Sequence, residues 1–113
     1  MAAIGQQVSV PTGTPTLVFQ VVDAATYAAN GYTPSANPNI FKTADVNAPI
    51  PLWIIIPSSA TVAFGGSNVT YATGAQVSGS QISSFAYNVV GNDSLYAIAS
   101  GSAATLSLLA LRQ

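Results

Sequence analysis

The chain predicts an all-β domain, a small antiparallel β-sandwich or jelly-roll-like barrel with one long irregular loop. Three observations carry that prediction. Valine, isoleucine, threonine and aromatic residues gather in short runs, the composition that suits a pleated, half-buried surface. Within most runs apolar and polar residues alternate with period two. Glycine-, proline- and asparagine-rich turn signals separate the runs at short intervals, as in sandwiches and small barrels.

Taken in order, residues 1–6 read as an irregular N-terminal arm. Val8 and Val10 then alternate with Gln7 and Ser9, and Pro11 ends the run. Thr12 to Pro15 is a turn-rich connector, and Thr16 to Val22 (TLVFQVV) a buried strand. Residues 23–51 hold four of the seven prolines and form the long Asn/Pro-rich loop. A helical turn fits Ala24 to Ala29, with Asp23 as N-cap and Asn30-Gly31 as its end. Structureless stretches of this length inside a compact domain tend to be functional or disordered. The loop carries Tyr27, Tyr32 and Phe41, aromatics of the kind favoured at protein contacts, and these three are the expected partner-binding residues.

The run Leu52 to Ile56 between Pro51 and Pro57 is apolar at every position. It reads as a central strand buried on both faces, with Trp53 as a core residue near the strand end. Ala60 to Gly74 (ATVAFGGSNVTYATG) reads as a hairpin. Val62 and Phe64 share one face before the turn, and Val69 and Tyr71 share one face after it. Gly65-Gly66 would supply the positive φ of a tight reversal. A polar connection, Ala75 to Ser84, leads to a strand in which Phe85, Tyr87 and Val89 share a face. Gly91-Asn92-Asp93 reads as a turn. Leu95 to Ala99 and Ala103 to Leu111 make a closing pair around Gly101. The last strand is apolar on both sides near its end, as expected of a strand central in the fold or covered by a neighbouring subunit.

With 113 residues the chain fits a single β domain, residues 1–113, able to bury about two-thirds of its unfolded surface. Only Asp23, Asp45, Asp93, Lys42 and Arg112 ionise near neutrality. Charged residues are 4% of the chain, against about 25% in an ordinary soluble domain. Such a surface is expected to be covered by partners or polar without charge. Two cationic side chains do not build a nucleic-acid interface or an anionic-membrane contact. Ser94 to Leu111 is uncharged, but Ser100-Gly101-Ser102 interrupts it, so two strands are expected there and not a membrane span. MAAIGQQVSV has neither the basic nor the continuous apolar region of a secretory signal, so synthesis in the cytoplasm is expected.

Little chemistry is written in the sequence. Without histidine, a serine or threonine nucleophile lacks its usual base, and Lys42 sits in no SxxK pattern. The three aspartates are far apart in sequence. Asn92-Asp93-Ser94 lacks the calcium-loop pattern, and Gly65-Gly66-Ser67 lacks that of a phosphate loop. The expectation is no enzyme: no catalytic residues, no cofactor and no metal.

Two segments, TVAFGGSNVTYATG and GNDSLYAIASGSAATLSLLAL, resemble a module of small tailed-bacteriophage virion proteins. That module has a GGS-x-VT hairpin and a D-x-LYAI-x-SG strand pair close to the C-terminus. Gly65, Gly66, Ser67, Val69, Thr70 and Gly74 fit the first motif; Asp93, Leu95, Tyr96, Ala97, Ile98, Ser100 and Gly101 fit the second. The match runs from Thr61 to Leu111, and the 23–51 loop lies outside it. The resemblance is to head decoration, or cement, proteins. It implies a capsid decoration protein, made in the host cytoplasm and located on the virion, that binds the major capsid protein and assembles as a homotrimer. The alternative is a tail-fibre or spike-associated module gripping host-surface glycans, with Tyr27, Tyr32 and Asp45 as its contact residues.

Overall fold

A computed structural model describes residues 2–43, 50–82, 84–89 and 93–112. Asp45, and Gly91-Asn92 of the expected turn, lie outside the described residues. The elements run β1 (Ala2–Val10), β2 (Thr16–Asp23), α1 (Ala24–Ala29), β3 (Ile40–Thr43), β4 (Ile50–Ile55) and β5 (Thr61–Gly65), followed by β6 (Ala75–Ser78), β7 (Ser84–Val89), β8 (Ser94–Ala99) and β9 (Ala104–Arg112).

The strands form two sheets, a four-stranded one in the order β1-β9-β4-β7 and a five-stranded one in the order β3-β2-β8-β5-β6. Their inner faces meet in one apolar cluster. Val8, Val10, Ile50, Leu52, Ile54, Leu106 and Leu108 come from the first sheet. Val18, Phe19, Val21, Phe41, Val62, Phe64, Leu95 and Ala97 come from the second. This is the sandwich that the alternation predicts. Every pairing is antiparallel except β2–β3, which is parallel, with Val21 opposite Phe41. Asp23 caps α1, accepting from the Thr26 N–H at 2.6 Å. Asn30 and Gly31 (φ 67°) end the helix as the sequence suggests. Gly101 (φ 85°) lies between β8 and β9, so Ser94 to Leu111 is two strands. No helix among the described residues is long and apolar enough to cross a membrane.

Four sequence expectations are corrected. The arm at residues 1–6 is not irregular: β1 starts at Ala2 and pairs with β9 in unbroken register from Ala2–Arg112 to Val10–Ala104. The 23–51 loop contains a strand, β3, which gains its ladder from β2. The partner of β5 is not the run through Val69 and Tyr71 but β6, in the stretch read as a polar connection. The turn expected of that hairpin is absent with it, since Gly65 and Gly66 do not take positive φ. Gly65 is needed instead for space: a Cβ there would stand 2.9 Å from Val69 Cγ2. The fourth correction concerns β4. Its residues alternate buried and exposed, with Leu52 and Ile54 inside and Pro51, Trp53 and Ile55 outside. It is internal in its sheet, as expected, yet the described residues cover only one of its faces.

Candidate interaction surface

The outer faces of the two sheets differ in what lies on them. On the five-stranded sheet, Val22 and Ile40 are buried beneath Tyr27 of α1, with Leu17 and Tyr32 packed alongside. Further along, Ala63 and Ile98 are buried beneath Val69, flanked by Tyr71 and Tyr96. The segment that carries Val69 is pinned by its own polar groups. Thr70 N–H donates to Thr73 Oγ1 at 3.1 Å, Thr73 N–H donates to Thr70 Oγ1 at 3.2 Å, and the two hydroxyls lie 2.7 Å apart. Gly74 lets it approach the sheet, since a Cβ there would lie 2.7 Å from Val69 Cγ2 and 2.8 Å from the Ala63 Cβ. The segment that carries Val69 thus builds a cover over the sheet.

The four-stranded sheet has no such cover among the described residues. Of the described large apolar side chains most exposed to solvent, Trp53 (50%), Ile55 (47%) and Leu109 (43%) all stand on its outer face, and Ile82 lies in the β6–β7 connection. Trp53 and Leu109 are direct register partners on β4 and β9. Extending that row, Leu109 pairs with Gly5 on β1 and Trp53 with Ala86 on β7. The next row is Gln7, Ser107, Ile55 and Ser84. Neither row holds an ionisable residue. The face thus presents Trp53, Ile55 and Leu109 together, flanked on one side by the uncharged Gln7, Ser84 and Ser107.

The three expected contact residues are not brought together on one surface. Phe41 is 2% exposed and packs edge-on against Phe19 with ring centroids 4.7 Å apart. Its side chain belongs to the core and is not presented to a partner. Tyr27 is buried too, edge-on to Tyr32 at 5.6 Å, with Lys42 Nζ 5.6 Å from its ring centroid. Its hydroxyl has no hydrogen-bond partner among the described residues. Tyr32 alone of the three is partly exposed. Sequence reasoning assigned Trp53 to the core and missed it as a surface residue. The signal was present in a run apolar at both parities, which fits a strand buried twice and equally a strand whose second cover is another molecule.

Electrostatics adds little to this face. Among the described residues the ionisable group with a shifted pKa is Asp23, at the N-terminus of α1. Its carboxyl is held below the ordinary value of 3.8 by hydrogen bonds from the Thr26 side chain and then the Thr26 N–H. Among the described residues no three His, Cys, Asp or Glu side chains gather as metal ligands. A shallow open groove between Gly65–Val69 and Thr73–Gly74 holds no charged residue. Compared with family models, with curated proteins and with solved structures, the chain finds no match in any of the three.

Proposed function

We propose that this protein works by contact, as a structural assembly protein that stabilises a larger shell without covalent chemistry. The observation that carries the reading is the uncharged outer face of the four-stranded sheet, with Trp53, Ile55 and Leu109 at its centre. Covering this apolar surface would contribute about 25 cal/mol per Å², partly offset by lost rigid-body freedom. The near absence of charge agrees with this, because a domain with so few ionic groups has little electrostatic protection against association.

The resemblance of Thr61 to Leu111 to tailed-phage virion proteins supplies the shell. In this reading the chain is a head decoration protein, a homo-oligomer bound to the major capsid protein on the outside of the virion. Co-sedimentation with phage heads lacking the protein tests it. Saturable binding is expected, and it should survive high salt, because a contact without ion pairs has nothing for salt to screen. Protein that stays in the supernatant at every concentration overturns the decoration reading.

A further inference from the structure

We propose that the outer face of the four-stranded sheet is closed by a second copy of this chain, packed face to face across a two-fold axis. This rests on the reading of that face as a contact surface and names its occupant. The row Gly5, Leu109, Trp53, Ala86 reads small, large, large, small from one edge of the sheet to the other. Its centre is the line between β9 and β4, which is also the middle of the sheet. A two-fold axis along that line, in the plane of contact, exchanges the two halves of the row. Leu109 then lies over the partner subunit's Trp53, and Trp53 over the partner subunit's Leu109. The small pair, Gly5 and Ala86, meet at the rims and let the central residues approach. Such self-complementarity is what an isologous contact requires.

Size and charge agree. Strands of nine, nine, six and six residues, at a rise of about 3.3 Å and a spacing of about 4.8 Å, give a flat footprint of about 500 Å². Two such faces bury about 1,000 Å² before side-chain relief is added, which reaches the size at which specific interfaces begin. Because the two rows hold no ionisable residue, apposing the face with itself brings no like charges together. Tryptophan, the residue type most enriched among energetic anchors, stands at the middle.

Trp53 is the only tryptophan, so its fluorescence reports directly on the face. In purified full-length protein, light scattering is expected to give twice the chain mass at high micromolar concentration. Dilution should move the emission of Trp53 to longer wavelength as the pair separates. Leu109→Lys keeps the reporter and places a charge opposite the centre of the partner. It should raise the dissociation constant by ~100-fold or more, while far-ultraviolet circular dichroism and a cooperative melt show the fold retained. A wild-type chain that is monomeric with concentration-independent emission overturns the inference. So does an oligomer whose mass Leu109→Lys leaves unchanged. If the monomeric wild type binds phage heads and Leu109→Lys abolishes that binding, the face serves the shell, and the assembly reading stands without the pair.

Discussion

On the outer face of the five-stranded sheet, Val22 and Ile40 lie under Tyr27, and Ala63 and Ile98 under Val69. On the outer face of the four-stranded sheet, Trp53 and Leu109 sit side by side with about half their surface in water. Both faces carry large apolar side chains, and both belong to sheets whose inner sides fill the same core. The difference lies in the connections. The chain between β2 and β3 and the chain between β5 and β6 fold back over one sheet, whereas no described connection crosses the other. A sheet face this apolar, left open by the described residues, is the surface that the proposed contact would cover.

The widest separation between the two settings should come from exchanging the residues whose roles the sequence suggests in reverse. Phe41→Ala opens a cavity in the core and should cost about 3–5 kcal/mol, whereas Trp53→Ser should change single-chain stability by about 1 kcal/mol or less. Urea unfolding of both variants below the concentration of association measures the contrast, and comparable losses would break it.

Glycines give the next test. Gly74→Ala drives a Cβ into Val69 and Ala63 and should destabilise by about 1–3 kcal/mol. Gly5→Ala meets no atom within 4 Å and should stay within about 0.5 kcal/mol of the parent. Thermal melts of the two variants suffice. The cover itself is imperfect at the buried Tyr27 hydroxyl, which lacks a partner among the described residues. Tyr27→Phe should therefore raise stability by about 1 kcal/mol, the cost of an unsatisfied buried polar group being removed. A fall in melting temperature would mean that the hydroxyl is satisfied after all.

The smallest effect is expected at the cap of α1. Asp23 has its carboxyl pKa lowered by Thr26, so its contribution is complete above the unfolded value of 3.8 and is lost as pH falls through the folded value. Asp23→Asn keeps a good N-cap but does not titrate. Its melting temperature should match the parent near neutrality and fall less steeply below the ordinary carboxylate value. Parallel pH curves for the two proteins would remove Asp23 from the acid limb.

The parts of the fold legible in the sequence are those where local pattern and tertiary setting agree. Val18, Phe19 and Val21 mark β2, and Val62 with Phe64 marks β5. The alternation of Leu95, Ala97 and Ala99 marks β8, and Asp23 with Asn30-Gly31 brackets α1. What could not be read is what neighbours impose. Ala2 to Gln6 carries too little side-chain pattern to announce a strand, and β9 supplies its register. Ile40 to Thr43 hides among asparagines and prolines and becomes a strand only beside β2. Ala75 to Ser78 is too polar to suggest one, while Val69 to Tyr71 alternates convincingly but is folded over the sheet, with the Thr70–Thr73 hydrogen bonds holding it there. The candidate surface was half legible. The apolar character of Leu52 to Ile56 and of the last strand at both parities was plain. Which side would lack a cover depended on where the loops fold, and that is not a local property.

The last two strands have a particular place in this architecture. β8 is the middle strand of one sheet and β9 an internal strand of the other, and a short turn at Gly101 joins them across the sandwich. Neither layer can hold together before this segment arrives, because β2 would have no route to β5 and β1 none to β4. A nascent chain emerging from the ribosome must therefore wait, with those strand edges unpaired, until Ser94 to Arg112 has been made. It should then fold in a single step, and any version cut short before Ser94 would be a target for proteases and not a smaller domain.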